Sequence, residues 1–541
     1  MSVLLRTTDD LPGDLAWDSW LSVTGTTGPD RLERSRGLED TGPRLEAAFE
    51  AIRPLWWRLG RKLGGDATAT IAVAPTGSVG SDLGVMLAWS HLIQGLARAP
   101  GRALVLCDDP WLFRHLALLP GIDAGRKPML WPARLRLGGR GLMARLKVAA
   151  TVAIAAIRLH DQRKVSPSGG SALLVYGHPA STPGGGDAYF GDVMRRFPHL
   201  TRLLHVDCAA GRALELGSDG RTASLHAWGC PGFAFGLVFA RWRPARQRRI
   251  GTHGWLVRRA AALENSGGGP AMIRWQIHCQ KRWLTATQPA QVVWPWENLA
   301  WERALCRAAR ACGTRTTGYQ HTVVGRHQIN YSPNSNPDGV RSVPDIVLCN
   351  GTAYRDELAA WGVPPERLRV AGALRFAGGA MDRYDPNGPV LIALSSLGHA
   401  NRALLRVAAS LADTGVSVKI KEHPMYPADF PERANLVRTD TGIDRSAGLK
   451  AVVFSTGTSG LDALRAGVPA FRLILEDGVA WDVAPAEISI PAMPAGQIIA
   501  AVGEAGKPPP LNWDRIFAPV HEDVWRDIFA LSATRCPGPA D

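Results

Sequence analysis

With 541 residues, 46% of them hydrophobic and 20% charged, the chain is too apolar to remain unfolded and too long for one ordinary core. Two or more cores of a few hundred residues are expected, with many loops from 58 Gly and 39 Pro. Eight cysteines without a C-x-x-C pair argue against a disulfide framework and a structural zinc site, while a net charge of +14 asks for a location.

In chain order, the opening "MSVLLRTTDDLPGDLAWDSW" lacks the charged and then apolar regions of a signal peptide, so a cytoplasmic protein is expected, with about 45 poorly ordered initial residues. "TIAVAP" and "ALVLC" read as strands. In "LCDDPWLF", Asp108 and Asp109 follow a strand and precede Pro110, which favours an N-cap; Asp109 is also carried as an acceptor-side candidate. From Ala124 to His160 there are eight Lys or Arg and no acid, around the apolar run Val148 to Ile157. "ALLVYG" and "LLHVD" are strands flanking "GGGDAYFGDVM", either an acceptor loop with Asp187 and Tyr189 or a plain glycine turn. After "CPGFAFGLVFARW", the stretch Arg241 to Ala260 holds seven Arg and no acid. Neither apolar run reaches the roughly 18 to 20 residues that span a bilayer. The two basic segments, 124–160 and 241–260, suit a solvated or inter-domain face or an anionic membrane surface; no nucleic-acid-binding motif accompanies them.

Further strands are expected at "QVVWP", "TTGYQ", "DIVLCNG" and "LRVAG", then at "PVLIALSS", "SVKIKEHP", "AVVFSTG" and "PAFRLIL". Helical patterns such as "NRALLRVAASLADTG", stopped by a glycine, lie between them. Strands alternating with helices indicate an α/β protein with two doubly wound, Rossmann-like domains. A crowd of Gly, Asp, Asn and Pro from Arg375 to Pro389 marks the boundary, giving domains over 1–377 and 388–510.

Ligands in open α/β sheets bind beyond the carboxyl ends of the strands. Ser395 and Ser396, then Lys421, Glu422 and His423, then Ser455, Thr456, Thr458 and Ser459 all follow strands of the second half. Small hydroxyl residues and glycines ahead of a helix suit a phosphate, more than a single N-cap needs. Pro424 restricts His423 to extended geometry and so aims its imidazole. In the first half, Glu297 sits beside Trp294 and Trp296 beyond one strand, and Gln320 and His321 lie beyond the next. A carboxylate among indoles is poorly solvated, which raises its pKa towards values useful for acid or base work. Glu302 reads as a surface ion-pair residue.

"KEHP" followed by "STGTSGLDALRAGVPAF" resembles the His-Pro and Ser/Thr motifs of bacterial sialyltransferases, polysialyltransferases and capsule Kdo transferases, which are GT-B glycosyltransferases. "WENLAWERAL", "GYQH" and "LCNG" resemble a family of bacterial surface-carbohydrate biosynthesis proteins; the likeness covers Trp294 to Phe471. The resemblance implies two domains facing across a cleft, with a closing segment, 511–541, packed back on the first. It implies that His423 and Ser455 to Ser459 contact the phosphate of a nucleotide-sugar, with CMP-Kdo or another CMP-ulosonate favoured, and that Asp462 reaches the nucleotide. The acceptor would be a surface polysaccharide or lipid-linked glycan, approached by Gln320, Asp187, Tyr189 and Asp109. No cofactor or metal is expected, nor nucleic acid, and the cytoplasmic membrane's inner face is an expected partner. The sequence lacks an Asp-Asp-Gly motif, and "YQHT" lacks a following glycine, so the base stays open between Glu297 and His321. A CDP-glycerol-type polyol-phosphate transferase and a non-catalytic scaffold of polysaccharide assembly are the alternatives.

Overall fold

A computed structural model describes residues 2–530 apart from 14–15, 25–31, 33, 67, 166–167, 245–250, 376–380 and 424–425. Pro424, residues 376–380 of the expected domain boundary, 245–250 of the second basic segment and 531–541 of the expected closing segment lie outside the described residues.

The strands form three sheets, all of whose strand pairings are parallel. The first contains β1 (Ser2–Arg6), β2 (Ser19–Ser22), β3 (Arg102–Leu106) and β4 (Ile122–Ala124) in the order β2-β3-β1-β4. The central sheet holds β5 (Ser171–Val175), β6 (Thr201–Leu204), β7 (Thr222–Ser224), β8 (Gln291–Pro295), β9 (Arg315–Tyr319), β10 (Ile346–Cys349) and β11 (Leu368–Val370). The carboxy-terminal sheet holds β12 (Val390–Ala393), β13 (Val418–Lys421), β14 (Leu436–Arg438), β15 (Ala451–Phe454), β16 (Ala470–Leu473) and β17 (Ala492–Met493).

The inner strands are near-continuous apolar runs because helices cover both faces of a parallel sheet. Successive side chains point to opposite faces, so each strand feeds two apolar layers. Val390 and Ile392 join one layer and Leu391 and Ala393 the other; Ala172 and Leu174 divide likewise from Leu173 and Val175. The covering helix Gly398–Asp413 buries Leu404, Val407, Ala408 and Leu411, the spacing of one helical face.

Both larger sheets are doubly wound. The central order β11-β10-β9-β8-β5-β6-β7 reverses direction between β5 and β8, and the carboxy-terminal order β14-β13-β12-β15-β16-β17 reverses between β12 and β15. Such reversals open a crevice at the carboxyl ends of the two flanking strands.

Two expectations fail. The first 45 residues are not without order: β1 lies inside the first sheet between β3 and β4, and Val3 and Leu5 are fully buried. "TIAVAP" forms no strand, because the Val73 and Ala74 N–H groups donate to the Glu264 carboxylate (2.9 and 2.6 Å) instead of to a neighbouring strand. The first sheet's layer is tied to the carboxy-terminal sheet by a buried bidentate pair, Arg472 on β16 to Glu46 on the helix Thr41–Ala51, at 2.8 and 2.6 Å. The final helix, Glu522–Ala530, lies on the central sheet, where Trp525 packs edge-on against Tyr319 and donates to the Ala371 carbonyl (3.1 Å). Seven described cysteines are unpaired, and among the described residues no three His, Cys, Asp or Glu side chains are grouped to hold a metal ion.

Candidate active site

The central crevice is built on the turn after β8. Trp294 and Trp296 are fully buried, and the chain then makes a left-handed turn at Asn298 (φ 59°), costly for a non-glycine residue. Three donors hold that turn from below by converging on one oxygen of Glu302, in the first turn of the helix Ala300–Ala311. They are Trp294 Nε1 (3.1 Å), the Glu297 N–H (2.9 Å) and the Asn298 N–H (3.0 Å). From above, the Asn298 amide donates to the Asn330 carbonyl (2.8 Å), Asn330 Nδ2 donates to the Glu297 carbonyl (2.7 Å), and Arg303 Nε donates to the Asn298 carbonyl (2.8 Å). Glu302 is therefore a buried clamp, not a surface ion-pair residue. Burial, then the neighbouring Glu297 charge, push its pKa up to about 8.

Glu297 projects from this clamped turn into the crevice. Its carboxyl is half-open to solvent but enclosed enough that desolvation raises its pKa, while Arg375 opposes the rise. His321, beyond β9, is 5% exposed and places Nε2 at 3.8 Å from Glu297 Oε1. Burial and then the charge of Arg375 pull the imidazole pKa down to about 3, so the ring is neutral near pH 7 and the two form no ion pair. Tyr189 packs edge-on against His321 (5.1 Å between ring centroids) and lies beside Tyr176 and His178. Tyr176 follows β5, and His205, which follows β6, stands 4.9 Å from it and 3.0 Å from Asp207. Four strand ends thus deliver their polar side chains to one place.

In the carboxy-terminal crevice, the turn after β15 carries Ser455, Thr456, Thr458 and Ser459 into the helix Ser459–Arg465. Ser455 is fully buried, and its Oγ meets no partner among the described residues. Thr456 donates to the Trp481 carbonyl (3.0 Å), and Thr458 lies 3.4 Å from the Asp462 carboxyl. Burial raises the Asp462 pKa to about 6. Across the crevice, beyond β12, Ser396 is exposed. His423, half-buried beyond β13, pairs with Tyr426 in a one-residue bridge, and desolvation lowers its pKa. Lys421 reaches the Asp440 carbonyl at 3.4 Å.

Arg375 joins the two crevices. Its guanidinium stands over the Tyr189 ring (5.5 Å), and its charge lowers the pKa of both Glu297 and Asp462, which belong to different sheets. Its side chain is exposed and makes no ion pair among the described residues. Sequence reading used Arg375 only as the start of a boundary and passed over Tyr176, His178 and His205. The last three had a signal, since each stands one to three residues beyond a strand.

Four sequence candidates serve the backbone instead. Asp109 caps the helix Pro110–Leu116 through the N–H groups of Trp111 and Leu112 (3.0 and 2.9 Å) and pairs with Arg259 at 2.6 Å. Asp187 is buried, accepting from the Tyr189 and Phe190 N–H groups (2.8 and 3.1 Å), so it shapes the loop that presents Tyr189. Gln320 is fully buried, donating to the Thr322 carbonyl and accepting from the Asn350 N–H (3.0 Å). Ser395 is closed off by Asn401, which accepts from its N–H (2.8 Å) and donates to its carbonyl (2.8 Å).

No protein-family model matches the chain, and no curated protein matches it in sequence. Solved structures similar to it include UDP-N-acetylglucosamine 2-epimerase from Rickettsia bellii, at 13% identity and a TM-score of 0.37 over 67% of this chain and 93% of that one. The glycosyltransferase SnogD from Streptomyces nogalater is similar at 12% identity, with a TM-score of 0.33 over 67% of this chain and 95% of that one. The lipopolysaccharide outer core galactosyltransferase WaaB is similar at 10% identity, with a TM-score of 0.33 over 66% and 94%.

Proposed function

We propose that the protein is a glycosyltransferase that moves a sugar from a nucleotide-activated donor, a CMP-ulosonate before others, to a hydroxyl of a glycan. The observation that carries the reading is the pairing of Glu297 and His321 at one crevice with the Ser455 to Asp462 turn at the other, with the charge of Arg375, over the Tyr189 ring, acting on the carboxyls of both.

Glu297 takes the proton of the acceptor hydroxyl, and its raised pKa makes it a stronger base than an exposed glutamate. The hydroxyl oxygen forms a bond to the anomeric carbon as the bond from that carbon to the phosphate oxygen breaks. The leaving phosphate carries away the electron pair, and Arg375, His423 and the hydroxyls of the Ser455 turn stabilise its charge. Neutral His321 orients the acceptor beside Glu297, accepting or donating one hydrogen bond without competing for the proton. The choice of a CMP-ulosonate rests on the likeness of "KEHP" and "STGTSG" to the sialyl and Kdo transferase motifs.

The test is nucleotide release from CMP-Kdo, CMP-sialate, UDP-sugars and CDP-glycerol, with and without a glycan acceptor. Release of CMP from a CMP-sugar, abolished by Glu297→Gln, supports the reading. Release from CDP-glycerol alone assigns a polyol-phosphate transferase, and glycan production in cells that survives both Glu297→Gln and His423→Ala assigns a scaffold.

A further inference from the structure

Large exposed apolar side chains concentrate on one part of the molecule. The helix Trp131–Arg158 runs for 28 residues before β5 and turns Gly141, Arg145, Ala149, Val152, Ala155 and Ala156 inward. Its outward face carries Trp131 (62% exposed), Leu135, Leu142, Met143 (66%), Ile154 and Ile157. At about 100° per residue these fall within an arc of about 140°, a continuous stripe along the helix. Arg136, Arg140, Lys147 and Arg158 edge the stripe on one side and Arg134 lies on the other, all exposed. The segment Pro231 to Phe239 packs beside this helix, fixed by Arg145 Nε donating to the Val238 carbonyl (2.9 Å), and projects Phe235 (79% exposed) and Phe239 (74%). Phe239 also forms the rim of a surface pocket lined by Arg241, Arg243, Arg274, Thr68 and Thr70.

We propose that this face, the helix Trp131–Arg158 together with Phe235 and Phe239, is an interfacial docking surface for a bilayer rich in anionic phospholipid. The apolar stripe enters the boundary between headgroups and chains, and the flanking cations and the arginine-lined pocket meet the phosphates. Charge complementarity selects this occupant. A second copy would set one acid-free basic face against another, since 124–160 has eight Lys or Arg and no Asp or Glu. Nucleic acid would leave the aliphatic stripe in water. The helix lies on the surface instead of crossing it, because no described helix is long and apolar enough to span a membrane. The surface stands independently of glycosyl transfer.

The test is flotation of the full chain with vesicles of phosphatidylcholine alone and of phosphatidylcholine with phosphatidylglycerol, at low and high salt. The expected result is binding to the anionic vesicles that high salt reverses. The variants Phe235→Asp with Phe239→Asp, and Arg136→Glu with Arg140→Glu, are each expected to weaken it at least about tenfold with an unchanged melting temperature. Absence of flotation at low salt, or variants that float like the parent, overturns the proposal. So does light scattering that shows a dimer dispersed by the same variants, or duplex DNA binding as tightly as the anionic vesicles.

Discussion

Replacing Glu302 separates the two things it supplies, an acceptor and a negative charge. One of its oxygens accepts from Trp294 Nε1 and from the N–H groups of Glu297 and Asn298, at 2.9 to 3.1 Å. Alanine leaves three donors without an acceptor in a site that water does not reach. Each such group costs about 1 to 3 kcal/mol, so a loss on the order of 3 to 6 kcal/mol is expected once some relaxation is allowed. The left-handed Asn298 turn loses its support as well, and a shift of Glu297 by about 1 Å is expected to lower kcat/KM by about 100-fold. Glutamine keeps an acceptor oxygen and the side-chain volume. With a pKa raised to about 8, Glu302 is mostly protonated at neutral pH, so glutamine resembles the native group there. Glu302→Gln should therefore stay within about 1 kcal/mol of the parent. Urea unfolding monitored by tryptophan fluorescence, paired with donor-turnover kinetics, reads both effects. If Glu302→Gln loses as much stability as Glu302→Ala, the site needs a carboxylate anion and the burial argument is refuted; if Glu302→Ala unfolds like the parent, the clamp itself is refuted.

Arg375→Gln removes the cation that holds the Glu297 pKa down, so the acid limb of the kcat/KM profile should move to higher pH, with the donor KM raised; an unmoved limb separates Arg375 from Glu297. Glu46→Ala strands Arg472 in the interior and should cost about 3 to 5 kcal/mol in chemical denaturation, whereas an unchanged midpoint would mean that the first sheet's layer needs no such tie to the carboxy-terminal sheet. Burial pushes the Glu264 pKa up to about 7, above its unfolded value of 4.5, so its stabilising contribution is complete below about pH 4.5 and lost as pH rises through about 7. Glu264→Gln, neutral throughout, should remove on the order of 2 kcal/mol of the decline between about pH 5 and about pH 8 in denaturant titrations, and an unaltered slope would refute the assignment.

The inner strands were legible because strands covered on both faces are runs of Val, Leu, Ile and Ala, as in "SALLV", "VLIA" and "AVVF". The edge strands β7, β14 and β17 were not, being two or three residues long and too short to show a period. At the site, Glu297, His321 and Tyr189 could be singled out because each lies past a strand or in a glycine-rich loop. Position alone did not separate them from Asp109, Asp187 and Gln320, whose polar groups also follow strands or glycines but are consumed by nearby N–H groups.

The sequence by itself determined an α/β chain of parallel strands, where polar residues would leave those strands, and which segments are basic and apolar. These are one-dimensional properties, set by periodicity, local sterics and charge along the chain. Only the tertiary structure decided that Glu302 lies beneath Glu297, that Arg375 stands over the Tyr189 ring with no ion pair among the described residues, and that Phe235 and Phe239 are exposed on a segment packed beside the helix Trp131–Arg158. Hydrogen-bond satisfaction, desolvation and exposure depend on segments distant in the chain, and no local pattern encodes who those neighbours are.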